Sequence, residues 1–221
     1  LDYTNEVSYN SLGLPNLGID YYEKELKNII EIAHGKDKKA IVSIASDYVE
    51  LTRLAYESGA DLVELNLSCP NEYTDGYQQV KMITYNRRLI DSVVFDVSRV
   101  VPNMLFTIKL SPLPRDPNLI FDIAFTWSMI PTLIGFVCCN TYPNCIYSED
   151  PDNKLLGMGG KYLKPISLGM ISQFRKFDSR IKLFGAGGIL TGWHIREYLD
   201  YGADYVQIGT GYALYLSLIH I

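Results

Sequence analysis

Apolar and polar positions along this chain follow two alternating periods. Short runs rich in Val, Ile, Leu and Phe near 41–45, 61–68, 106–110, 133–140, 182–188 and 205–211 read as strands, apolar enough to be buried on both faces. Between them, apolar residues recur at helical spacing near 19–33, 48–58, 84–99, 117–128, 164–177 and 192–201. This alternation predicts repeated βα units around a parallel sheet, either an α/β barrel or a doubly wound sheet. The stretch from Leu119 to Cys139 is apolar enough to raise a membrane span, but Asp122 and Pro131 interrupt it. A buried helix followed by a buried strand is expected there. Segment 141–162 exceeds an ordinary βα loop and carries Pro143, Pro151 and a glycine-rich close at Gly157 to Gly160, so it is expected to form a lid.

Glycine placement separates the two architectures. Gly185, Gly187 and Gly188 follow one strand, and Gly209 and Gly211 end the last. Barrels bind phosphate at the loops after strands seven and eight, where backbone N–H groups can approach an anion. Counting back makes 41–45 strand three. The expected fold is therefore α/β, a (β/α)8 TIM barrel with about six of its eight βα units present, in one domain over 1–221. The first two units have no counterpart apart from the loop and helix leading into strand three. The absence of Met at position 1 also suggests an incomplete chain.

Composition adds exclusions. A net charge of −5, with Lys and Arg scattered, gives no footprint for nucleic acid or anionic lipid, so an anionic ligand must be held locally. Cys69, Cys138, Cys139 and Cys145 match neither a disulfide framework nor a paired zinc site, and a reducing cytoplasmic setting is expected. His34, His194 and His220 have no acidic partner at suggestive spacing, and no metal site is expected.

Chemistry concentrates at strand ends. Asp61-Leu-Val-Glu-Leu-Asn-Leu-Ser-Cys-Pro-Asn71 runs from a strand into a polar loop, where Cys69 between the amides of Asn66 and Asn71 could act as a thiol base. The competing reading is an inert buried cysteine, which is common for this residue. Lys109 closes the apolar strand Phe106-Thr-Ile-Lys-Leu110, where it is either an exposed strand-end lysine or a cation for a cofactor. Asn140 and Thr141 bring an amide and a hydroxyl to the same end, or serve as ordinary turn residues.

Four segments together resemble dihydroorotate dehydrogenases: Asn10-Ser-Leu-Gly-Leu-Pro-Asn-Leu-Gly18, Glu64-Leu-Asn-Leu-Ser-Cys-Pro-Asn71, Gly157-Met-Gly-Gly-Lys-Tyr-Leu-Lys-Pro165 and Gly185-Ala-Gly-Gly-Ile-Leu-Thr-Gly192. The first two are the specific parts. Cysteine at the base position is similar to the soluble classes, and the Gly-Leu-Pro-Asn loop to the fumarate-using class. The resemblance implies FMN as cofactor, dihydroorotate oxidised to orotate, fumarate reduced to succinate, and a cytoplasmic homodimer without membrane or nucleic-acid partners. It implies Cys69 as the catalytic base and Asn10, Ser11, Leu12, Gly13, Leu14, Asn66, Asn71, Asn140 and Thr141 around the substrate. Lys109 and Asn66 would meet the flavin ring, Cys139 and Gly160 would lie along the cofactor, and Gly187, Gly188, Gly209 and Thr210 would cradle its phosphate. The family's first two strands lack counterparts, and Tyr212 to Ile221 does not resemble its last helix. The alternatives are an inactive barrel fragment and another FMN- or phosphate-binding barrel oxidoreductase.

Overall fold

The computed structural model describes residues 2–10, 16–69, 82–113, 117–148, 150 and 155–215. A hairpin of β1 (Asp2–Thr4) and β2 (Val7–Asn10) comes first, followed by α1 (Ile19–His34). The βα units are β3 (Ile41–Ile44) with α2 (Tyr48–Glu57), β4 (Leu62–Asn66) with α3 (Arg87–Val100), and β5 (Phe106–Leu110) with α4 (Pro117–Met129). After β6 (Leu133–Cys138) come β7 (Tyr142–Cys145) and β8 (Leu156–Gly160), then α5 (Lys164–Phe177). The last units are β9 (Lys182–Ala186) with α6 (Gly192–Asp200) and β10 (Tyr205–Gln207) with the short α7 (Thr210–Leu214). All six predicted strands and six predicted helices form, with ends moved by a few residues.

Six strands make one parallel sheet in the order β10-β9-β6-β5-β4-β3, with β3 and β10 as its edges among the described residues. The sheet is strongly curled. Neighbouring strands lie about 4.8 Å apart, so β4 and β10 would be separated by roughly 19 Å in a flat sheet. Instead Glu64 of β4 accepts a hydrogen bond from Gln207 of β10 at 2.7 Å, inside the curl. This is a partial (β/α)8 barrel containing the six βα units read from the sequence.

Both faces of the sheet are packed. Outside, Val63, Leu65, Phe106, Ile108, Phe136 and Leu183 meet the helices in the main core. Helix α3 shows how one element is built. Asn86 caps it by accepting from Leu89 N at 3.4 Å, and Ile90, Val94 and Val97 bury one helical stripe. Inside the curl, Leu62, Val137, Phe184 and Ala186 form a smaller apolar cluster. The apolar stretch from Leu119 to Cys139 resolves into α4 and β6, and no helix among the described residues is long and apolar enough to cross a membrane.

Two carboxylates fasten the amino ends of the strands. Asp61 accepts from Lys39 Nζ (2.7 Å) and Ala40 N (2.8 Å) and meets His34 Nε2 (2.7 Å). The Lys39, Ala40 and His34 hydrogen bonds hold its carboxyl well below the usual carboxylate range. Asp204 accepts from Leu183 N (3.0 Å) and Arg175 Nη2 (2.6 Å). Burial raises its carboxyl, but these donors and Lys182 more than offset that, and the net shift is downward. Conserving stability at this end leaves the opposite end for chemistry.

The segment expected to form a lid contains two strands. Segment 141–162 carries β7 and β8, which join the amino-terminal hairpin in a second, antiparallel sheet of order β1-β2-β8-β7. Its strands are inconspicuous in sequence: β8 is Leu-Gly-Met-Gly-Gly and β7 is Tyr-Pro-Asn-Cys. Close approach explains the glycines. A Cβ on Gly160 would overlap the Glu6 carbonyl, and one on Gly159 would lie 2.7 Å from Ser8 Oγ. The same position is 3.4 Å from Thr210 Oγ1 and 3.5 Å from Thr141 Cγ2, so β8 lies between the carboxyl ends of β6 and β10.

Candidate active site at the carboxyl ends of the strands

Parallel register brings the candidate residues to one mouth. Asn66 of β4 lies beside Lys109 of β5, while Cys138 of β6 lies between Leu110 and Gly185. Beyond Asn66 the chain is pinned before it reaches Cys69. Leu67 N donates to Lys109 O at 3.3 Å, and Leu67 O accepts from Thr84 N (3.0 Å) and Thr84 Oγ1 (2.9 Å). Thr84 is fully buried, and its hydroxyl oxygen accepts in turn from Ser111 N at 3.3 Å. Cys69 thus follows two residues after this braced point and is half-buried.

Two amides bridge across β5. Asn66 Oδ1 accepts from Ser68 Oγ at 2.9 Å, Ser68 N at 3.3 Å and Asn140 Nδ2 at 3.2 Å. Asn140 Nδ2 also lies 3.0 Å from Ser68 Oγ and 3.1 Å from Ser68 O. Asn140 Oδ1 accepts from Thr141 N at 2.9 Å, which fixes the first residue beyond. Asn66, Asn140 and Thr141 are therefore brought together, with Cys69 three positions from Asn66.

Lys109 Nζ pairs with Glu64 Oε1 at 3.4 Å, with 22% of the lysine side chain and 4% of the glutamate side chain exposed. Lys109 is not an exposed strand-end residue. It lies on the inner face at the mouth, where a positive charge is screened little by water.

None of the four cysteines forms a disulfide. Burial pushes the Cys139 thiol up to about 12, with nearby Lys109 acting the other way, and burial also raises the Cys138 thiol well above its usual value. Those thiols keep their protons in neutral solution, so neither can serve as a base. The peptide between them is cis, and Cys139 N donates to Ala186 O at 3.1 Å.

The glycine turns follow neighbouring strands, because Gln207 is in register with Ala186. Gly187 and Gly188 have φ of 119° and 65°, which side chains other than glycine rarely adopt. A Cβ on Gly188 would also lie 2.8 Å from Lys164 Cβ and 2.9 Å from Gly160 O, which places Gly160 against the same turn. Among the described residues, no hydrogen bond engages the N–H groups of Gly187, Gly188 or Gly209. Thr210 Oγ1 lies 2.8 Å from Ser8 Oγ. Asn10 sits on the second sheet, donating to Gly157 O at 3.4 Å, rather than in the Asn66–Asn140 group. Ser11, Leu12, Gly13, Leu14 and Asn71 lie outside the described residues.

Glu64, Gln207, Ser68 and Thr84 escaped the sequence reading. Glu64 offered a signal: it stands two positions before Asn66 in an otherwise apolar strand, and therefore on the same face. A thiol, a cation, two amides and unengaged backbone N–H groups around one opening suit proton removal from a small polar substrate beside an anionic cofactor.

The family model "Dihydroorotate dehydrogenase" matches residues 2–217. The chain is 32% identical to "Probable dihydroorotate dehydrogenase A (fumarate)" of Streptococcus pneumoniae, with 92% of this chain and 66% of that protein aligned. It is also 32% identical to "Dihydroorotate dehydrogenase (fumarate)" of Kluyveromyces lactis, with the same coverage. The chain thus spans just under two thirds of the length of these relatives. The crystal structure of DHODH in complex with ferulenol from Eimeria tenella superposes with a TM-score of 0.75 at 20% identity, covering 94% of this chain and 63% of that one. That likeness establishes the barrel. With a family match running nearly end to end over a mouth built in this way, the chain belongs to the dihydroorotate dehydrogenase family.

Proposed function

We propose that this chain oxidises (S)-dihydroorotate to orotate with FMN, as a step of pyrimidine biosynthesis, with fumarate as electron acceptor. The observation that carries the reading is the convergence of the Cys69 loop, Lys109 and the Asn66–Asn140 amide pair on one barrel mouth. The acceptor is suggested by the names of the relatives. A cytoplasmic homodimer belongs to the same reading through the resemblance to the soluble classes.

The residues fit the cofactor. A Cβ on Gly209 would meet nothing within 4 Å, and the N–H groups of Gly187, Gly188 and Gly209 can turn to a phosphate. Lys109 supplies positive charge toward the ring. When bound, FMN supplies a two-electron acceptor for the hydride leaving C6 of the substrate. Cys69, two residues after the braced point, takes the proton leaving C5. Asn66, Asn140 and Thr141 offer donors and acceptors for the polar edges of dihydroorotate, while Asn10 approaches from the second sheet.

The test is direct. Purified protein should carry a flavin absorbance that bleaches when dihydroorotate is added without oxygen and returns with fumarate. A protein that binds no flavin, or whose bound flavin is indifferent to dihydroorotate, would overturn the proposal.

A further inference from the structure

Behind the cation of the site lies a carboxylate that the proposed reaction does not use. Glu64 is 3% exposed, and donors from three other strands converge on it. Its Oε1 accepts from Ser43 Oγ of β3 at 2.9 Å and faces Lys109 Nζ of β5 at 3.4 Å. Its Oε2 accepts from Gln207 Nε2 of β10 at 2.7 Å. Burying a carboxylate is costly unless it is paired and hydrogen-bonded, and here every partner comes from a separate strand. The arrangement fixes the ammonium of Lys109 from below, while Asn66, on the same face of β4, lies one layer nearer the mouth.

We infer that Glu64 is a positioning residue for Lys109, holding its ammonium on the inner face and subtracting from the positive field it projects into the mouth. This inference rests on the proposal that Lys109 faces bound FMN. Opposite charges 3.4 Å apart act on more distant groups as a dipole, whose field falls off faster than that of a lone cation. Reduced flavin carries more negative charge near N1 than oxidised flavin, so a less masked Lys109 favours the reduced form.

The experiment compares FMN affinity in the oxidised and chemically reduced states for the wild type, Glu64→Gln and Lys109→Met. Glutamine keeps an acceptor for Ser43 and Lys109 and, with the Gln207 amide turned over, a hydrogen bond to β10. Glu64→Gln should improve the binding of reduced relative to oxidised FMN by about tenfold, equivalent to a midpoint potential about 30 mV higher for a two-electron couple. Lys109→Met should move the ratio the opposite way. Glu64→Asp keeps the charge but draws it back, and should shift the ratio in the same direction as Glu64→Gln by a smaller factor. It decides the matter if the glutamine variant does not fold. A purely structural Glu64 would leave the ratio alone. If Lys109→Met shifts the ratio while both Glu64 variants stay within twofold of wild type, the inference is overturned and the flavin reading stands. If the wild type binds no FMN, both fall together.

Discussion

Replacing Cys69 with alanine is expected to slow dihydroorotate-dependent flavin reduction by roughly a hundredfold to ten-thousandfold, the usual contribution of a positioned base. FMN should remain bound at wild-type stoichiometry. The two effects should separate because Cys69 sits on the loop after β4, whereas the glycine turns proposed to hold the phosphate follow β9 and β10. The start of the loop should survive, since the buried Thr84 hydroxyl and N–H hold the Leu67 carbonyl in both proteins. Cys138 and Cys139 offer no substitute base, because burial keeps both thiols protonated. Rapid-mixing measurement of flavin bleaching gives the answer, and near-normal bleaching in the alanine protein would remove Cys69 from the mechanism.

Gly135→Ala is expected to destabilise the fold by about 3 kcal/mol or more, at the upper end of overpacking effects. Gly135 is on β6, in the middle of the parallel sheet, in register with Lys182 of β9. A Cβ there would overlap the Lys182 carbonyl, and backbone cannot swing aside as the tip of a flexible side chain can. The strands would have to part at the centre of the sheet, beside Phe136 and Val137, both fully buried. Chemical denaturation should show a lowered midpoint or loss of soluble protein. A variant as stable as wild type would mean that β6 and β9 are spaced differently from this structure.

The parts of the molecule that the sequence revealed are those held by short-range pattern. A βα unit combines an apolar run with a helical stripe, as in Leu62–Asn66 followed by α3 with its buried Ile90, Val94 and Val97, and periodicity exposes both. The second sheet followed no such rule. Its glycines answer to the backbone of β2, more than a hundred residues earlier in the chain, and the turn between β1 and β2 uses Asn5 and Glu6 at φ of 50° and 67°. Local propensity does not register partners so distant. The site divided in the same way. Asn66 and Lys109 stood out as polar groups ending apolar strands, and the structure sets them side by side. The Glu64–Gln207 contact depends on how far the sheet curls, a property of all six strands together.

The two sheets also set a timetable for folding. Successive strands of the curl can pair once the intervening helix has formed, but β2 must wait for β8, with Val7 meeting Gly160, and Ser8 meets Thr210 across 202 positions of chain. Loop closure costs only about 0.6 kcal/mol more for each doubling of length, so the penalty falls on rate rather than on final stability. On a ribosome, β2 would emerge long before β8, the strand it pairs with. Pulse-labelled hydrogen exchange during refolding should protect amides of β4, β5 and β6 before those of β2, and the reverse order would contradict this sequence of events. Until then the second sheet is incomplete, and a ligand that binds only the finished site reports the last contact to form rather than the first.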